Sequence, residues 1–212
     1  MKNIISLIVL LSLYSSAFPQ QQSNWQNYAD MKSTKDLATT SEGFWTATRG
    51  GAFFYNPSDS SYKTYSKAEG LIGTDLVSVG IDRNNKVWFG SSNGMIDVYK
   101  PESNSFQSIL DIFNSDKTSK RVNDIVISGD SVYIATDFGI SLVDANNYFF
   151  YDTYFKFGNF TSNIKVNSIL IADRIYAATE SGVAIQKTGA TNLSAPESVS
   201  YTHLTLPTSD LV

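Results

Sequence analysis

Tyr133-Ile134-Ala135-Thr136-Asp137-Phe138-Gly139 decides the fold, because its plan occurs four times in the chain. Trp45-Thr46-Ala47-Thr48 leads to Gly51, Trp88-Phe89-Gly90-Ser91 to Gly94, and Tyr176-Ala177-Ala178-Thr179 to Gly182. The aromatic anchors lie 43, 45 and 43 residues apart, and each glycine follows its aromatic by six. A fixed period of this length is the signature of a repeat architecture.

Each copy carries the same series of short segments. An apolar run comes first: Leu76 to Ile81, Ile125 to Ile127 and Ile169 to Ile171, with Leu37-Ala38 as a weaker first version. A polar turn follows, then the aromatic strand, then a turn ending in glycine. A third apolar strand such as Ile140 to Val143 precedes a more polar fourth, as in Tyr62 to Ser66 or Ser105 to Ile109. Short runs of this kind between regular turn signals indicate all-β structure. A small residue two after the aromatic suits a strand pressed against a neighbouring sheet. The glycine suits a hairpin that needs positive φ. After it, Ala52 and Phe54, Met95, Ile140 and Leu142, and Val183 and Ile185 are expected to point to a core, with Asp97 as an interruption.

Four strands in about 43 residues make a β-propeller blade. The predicted fold is therefore an all-β propeller of four-stranded antiparallel blades, incomplete, with about four blades of a larger ring. Its structural signature is Trp45, Gly51, Trp88, Gly94, Tyr133, Gly139, Tyr176 and Gly182. Residues 35–198 are read as this partial propeller, and 18–34 as an N-terminal segment in which Trp25 and Tyr28 offer a ring-closing strand.

The two ends read differently. Lys2, the apolar run Ile4 to Tyr14 and the small residues Ser15-Ser16-Ala17 have the layout of a secretory signal peptide over residues 1–17. That run is too short to span a bilayer, which needs about 20 apolar residues. No later stretch is long and apolar enough either, so export to the periplasm, the outer-membrane surface or the medium is expected. Val199-Ser200-Tyr201-Thr202-His203-Leu204-Thr205-Leu206-Pro207-Thr208 resembles the translation of a sequencing adapter, so residues 199–212 are expected not to be native.

Composition narrows the function classes. The chain has 212 residues, 42% hydrophobic and 17% charged, which fits a globular core. Its formal net charge of −4 argues against a nucleic-acid binder. With no cysteine, disulfides, thiolate metal sites and thiol nucleophiles are excluded. The one histidine, His203, lies in the suspect tail. No catalytic, cofactor-binding or metal-binding residue is assigned, and no cofactor is expected.

The remaining motifs have simpler structural readings. Asp137-Phe138-Gly139 matches a kinase triplet but lacks its companion motifs. Ser60-Ser61-Tyr62-Lys63 fits a β-lactamase pattern by chance. Asp82, Asp97, Asp124, Asp130, Asp137 and Asp144 lack calcium-loop spacing and read as turn residues. The aromatic run Tyr148-Phe149-Phe150-Tyr151, continuing to Tyr154, Phe155, Phe157 and Phe160, reads either as a docking platform or as inter-blade packing. Lys117, Lys120 and Arg121 form a small basic cluster in a connecting loop, where an anionic polysaccharide could meet them. Asn159-Phe160-Thr161 is a sequon only in a glycosylating host.

The copies Trp45 to Thr48 and Trp88 to Ser91 resemble the two-component-regulator propeller repeat, found in exported sensor regions of bacterial hybrid kinases. From the second copy onward a further likeness enters. Asn93-Gly94-Met95-Ile96-Asp97-Val98, Val122-Asn123-Asp124-Ile125 and Gly129 to Ile140 resemble the family of PorZ N-terminal propellers. So do Asp152-Thr153-Tyr154, Ile175 to Thr179 and Asn192-Leu193. This second resemblance implies a non-catalytic binding or assembly module of type IX secretion, a bacterial outer-membrane process. Its partners would be other secretion-machinery proteins, a surface polysaccharide or a small ligand. The first implies a periplasmic ligand-sensing propeller of a hybrid two-component regulator. An enzyme on this scaffold would need an acid–base or metal constellation that the sequence does not offer.

Overall fold

The computed structural model describes residues 29–202. The signal-peptide reading, Trp25, Tyr28 and His203 fall outside them. Among the described residues sixteen strands form four antiparallel sheets of four, each in simple sequential order. Blade 1 comprises β1 (Thr34–Thr39), β2 (Phe44–Thr48), β3 (Gly51–Asn56) and β4 (Ser61–Tyr65). Blade 2 comprises β5 (Leu76–Ile81), β6 (Val87–Ser91), β7 (Ile96–Lys100) and β8 (Ser105–Ile109). Blade 3 holds β9 (Val122–Ser128), β10 (Ser131–Thr136), β11 (Gly139–Asp144) and β12 (Phe150–Tyr154). Blade 4 holds β13 (Val166–Ile171), β14 (Ile175–Thr179), β15 (Gly182–Gln186) and β16 (Val199–Thr202). The boundary drawn at residue 198 thus falls just before the outer strand of blade 4.

The first strand of each blade touches the first strand of the next, β1 to β5, β5 to β9 and β9 to β13, so these four lie innermost. Three apolar clusters fill the seams. Between blades 1 and 2, Trp45 packs with Phe89 and Tyr99. Between blades 2 and 3, Trp88 and Val98 meet Ile125, Ile134 and Val143. Between blades 3 and 4, Tyr133 and Leu142 meet Ile169, Ala177 and Ala184. Burying each such side chain contributes roughly 1.5–3 kcal/mol, and only neighbouring blades together supply the cover.

In blades 1 to 3 the anchor belongs to a cross-strand row facing the next blade, and blade 4 repeats the row. The rows run Ala38–Trp45–Phe54, Gly80–Trp88–Val98, Val126–Tyr133–Leu142 and Leu170–Tyr176–Ile185. In the last row Leu170 is 60% exposed, while Tyr176 and Ile185 are half-buried.

The hydroxyl three after each aromatic closes the following turn. Thr48, Thr136 and Thr179 donate through Oγ1 to the carbonyls of Gly51 (2.7 Å), Gly139 (3.0 Å) and Gly182 (2.7 Å). Gly139 has φ 136°, and a Cβ there would stand 2.1 Å from the Tyr154 carbonyl oxygen. Close approach of the fourth strand, together with the positive φ, requires glycine. Blade 2 differs. Its turn is one residue longer, so Met95 stands opposite Ser91 and Gly94 sits inside the turn with φ 91°. Register therefore shifts by one. Ile96 and Val98 point to the core expected of Met95, and Asp97 faces blade 1. It is buried and accepts the Gly73 amide at 2.7 Å and the Ser108 hydroxyl.

Candidate functional site: a cleft on the link face

The links between blades lie at the same end of the ring as the turns joining second and third strands. Backbone hydrogen bonds tie them there: Asp75 to Arg49, Asp137 to Arg121 and Glu180 to Lys165. The link from blade 2 to blade 3 is the most elaborate. One helical turn, Asp111–Asn114, anchors through buried Ile112, and Lys120 Nζ donates to the Phe113 carbonyl at 2.7 Å. The chain then arches over the blade 3 hairpin.

Asp137 in that hairpin binds three elements at once. Its carboxylate accepts from Ser119 in the link and from Asn123 on β9 at 2.9 Å, and it lies 3.8 Å from Lys165 in the next link. Asn123 also donates to Val166 of blade 4 at 2.8 Å. The carboxylate is thus committed to holding the links in place.

A cavity of about 390 Å³ opens beside this junction, lined by Asp116, Lys117, Ser119, Asp137, Phe138 and Asn163. A second of about 270 Å³ adjoins it and shares Lys117 and Phe138, with Ile112, Phe150 and Phe155. Lys117 stands between the two. Its ammonium lies 4.5 Å from the Phe155 ring centre and 5.9 Å from that of Phe138. Its nearest carboxylate oxygen is on Asp116 at 3.8 Å, and it donates no hydrogen bond among the described residues. Ammonium over aromatic faces is attractive, yet leaves three N–H donors to be used. Apolar walls and a convergent, unspent donor are the usual makings of a binding cleft.

The other sequence candidates take other places. Trp45 and Trp88 are buried and Tyr133 is half-buried as packing residues of the seams, and Tyr176 is half-buried on the open row of blade 4. Asp137-Phe138-Gly139 is a hairpin turn. Ser60 occupies a turn with φ 57°, and Lys63 lies on β4. Asp82 is buried and accepts from Asn84 N, Lys86 N and the Trp88 indole, so it serves its own turn. Among the described residues no group of three acidic or imidazole side chains could hold a metal ion. The aromatic run divides: Tyr154, Phe157 and Phe160 are buried, whereas Phe149 and Tyr151 are 71% and 54% exposed. Burial pushes the Tyr154 and Tyr133 phenols up, which keeps them neutral. Asn159 is exposed and lies 3.3 Å from the Tyr201 hydroxyl. Sequence reading grouped Lys117 with Lys120 and Arg121 by charge, placed Phe155 in the aromatic run and Phe138 in a blade turn, and did not join the rings to the lysine. Those rings arrive from other elements, and only the fold brings them together.

The family model for the N-terminal β-propeller domain of PorZ (TSS9) matches residues 44–198. No curated protein sequence matches the chain. Among solved structures, PorZ of Porphyromonas gingivalis, described as an essential bacterial surface component of the type IX secretion system, aligns with TM-score 0.66 and 22% identity. That alignment covers 82% of this chain and 23% of PorZ. The extracellular domain of a B. thetaiotaomicron protein described as a hybrid two-component system aligns with TM-score 0.64 and 16% identity, over 81% of this chain and 22% of that one. A second such domain from B. thetaiotaomicron gives 0.62 and 16%, over 87% and 25%. The chain spans about a quarter of the length of these structures. At such identities the likeness establishes the fold.

Proposed function

The chain belongs to the family of PorZ N-terminal β-propeller domains, and from that premise we propose that it is an exported, non-catalytic binding and assembly module acting in type IX secretion. Lys117 carries this reading. Its ammonium is held on Phe155 and Phe138 in a cleft on the link face, with donors left for an incoming group. The blades act as a rigid frame, and the links they hold present the contact surface. Asp137, the carboxylate at the junction beside the cleft, supports a non-catalytic role, since it is engaged by Ser119, Asn123 and Lys165. Export agrees with the likeness to a bacterial surface component and to extracellular domains. Among the described residues no helix is long and apolar enough to cross a membrane.

Partners on this reading are secretion-machinery proteins or a surface ligand that docks on the links. The test is genetic. In the bacterium that carries the gene, deletion should leave type IX cargo unexported, and complementation with Lys117→Ala should restore export only in part. Normal cargo export after deletion would end the proposal.

A further inference from the structure

At the opposite end of the ring, away from the Lys117 cleft, two equivalent seams are finished differently. The turns joining third and fourth strands each contain a residue in the left-handed region: Ser60 (φ 57°), Asn104 (φ 46°) and Tyr148 (φ 66°). They precede Ser61, Ser105 and Phe149, which stand opposite Asn56, Lys100 and Asp144. At the seam of blades 2 and 3 this position is Tyr148. Its ring lies 5.6 Å from that of Trp88, with the Lys86 and Lys100 ammonium groups 5.1 and 5.3 Å from it. Tyrosine in this conformation is strained, and the stacking offsets the cost.

At the seam of blades 1 and 2 the position is Asn104, which accepts hydrogen bonds from Tyr99 Oη at 2.9 Å and Lys63 Nζ at 3.1 Å. The turn supplies no ring to this seam; Tyr65 and Tyr99 pack on Trp45 instead, each with its ring centre 5.0 Å away. A cavity of about 330 Å³ remains, with Trp45, Phe54, Tyr65 and Tyr99 in its wall. Ser41, Glu42 and Asn85 stand at its mouth, and among the described residues their side chains have no hydrogen-bond partner.

We propose that this seam cavity binds a neutral pyranose, whose ring takes the place that Tyr148 fills next door and whose hydroxyls bind Ser41, Glu42 and Asn85. Size and aromatic wall call for a ring-shaped guest. Charge selects a neutral one. The Glu42 carboxylate at the mouth opposes an anion, while the Lys63 ammonium, 4.9 Å from the Tyr65 ring centre, already takes that aromatic face and opposes a second cation. Sugar hydroxyls both donate and accept, which suits a carboxylate, a carboxamide and a hydroxyl together. The site lies at the other end of the ring from Lys117 and stands or falls independently of the secretion role.

Calorimetry of the full chain tests it, with the methyl glycosides of glucose, mannose and galactose as probes and glucuronate and choline as charged controls. At least one neutral glycoside should bind with a dissociation constant on the order of millimolar, at least tenfold more tightly than either control. Glu42→Gln combined with Asn85→Ala should weaken that binding by about fivefold or more. Asn104→Tyr, which supplies the missing ring in a conformation Tyr148 already adopts, should abolish it with the near-UV spectrum retaining its folded form. Absence of binding by all three glycosides, tighter binding of a charged control, or full binding by Asn104→Tyr would each overturn the proposal.

Discussion

The carboxylate of Asp124 on β9 accepts the backbone N–H of Ile169 on β13 at 2.9 Å, fastening blade 3 to blade 4 along the innermost strands. It also accepts the Ser168 hydroxyl at 2.7 Å. Asp36 does the same for blades 1 and 2 through the Val79 amide, at 2.8 Å. The equivalent residue in blade 2 is Ser78, whose buried hydroxyl has no partner among the described residues. There, blades 2 and 3 approach through glycine instead: a Cβ on Gly90 would lie 2.3 Å from Val122.

Asp124→Ala should therefore destabilise the chain by about 1–3 kcal/mol, because the Ile169 N–H loses its acceptor. Ser78→Ala should be close to neutral or slightly stabilising, since it removes an unsatisfied buried hydroxyl. Urea unfolding midpoints check both. Equal losses in the two variants would contradict the assigned roles.

Glycine at the blade hairpin makes a second test. Gly139→Ala places a Cβ against the Tyr154 carbonyl at φ 136° and should cost about 2 kcal/mol or more. Gly129 has φ 64° with open space around it, so Gly129→Ala should cost only about 1 kcal/mol. The ordering of the two, read from thermal unfolding, matters more than either value.

These residues also separate what the sequence discloses from what it conceals. The aromatic, hydroxyl and glycine recur because each does one chemical task that few residue types can do. The left-handed turn position recurs as Ser60, Asn104 and Tyr148, a shared conformation without a shared residue type. No compositional reading finds it. The extra turn residue in blade 2 is hidden for the opposite reason: Gly94 keeps its distance of six from Trp88 while Met95 takes the strand position. Both candidate sites join residues from separate elements, so neither leaves a linear motif.

Tyrosine ionisation offers a pH signature. Burial pushes the Tyr99 phenol up to about 12, and burial raises Tyr65 as well. A raised folded-state value favours the neutral phenol. The stability it confers is complete below the unfolded value near 10 and is lost as pH rises through about 12. Absorbance titration at alkaline pH should show this buried pair ionising only as the near-UV signal collapses. A single wave near the ordinary phenol value would refute the packing of the Tyr65–Tyr99 pair.

The last row of the propeller sets the behaviour of the chain in solution. Leu170, Tyr176 and Ile185 repeat the row that blades 1 to 3 bury against a neighbour, yet in blade 4 Leu170 is 60% exposed and Tyr176 and Ile185 are only half-buried. Apolar surface on an open sheet face favours association. The isolated 212-residue chain should therefore self-associate as its concentration rises, and Leu170→Lys with Ile185→Lys should shift it toward monomer. Light scattering across a dilution series reads this directly. If the unaltered chain stays monomeric throughout, the row is not the adhesive element that its equivalents in the other three seams make it.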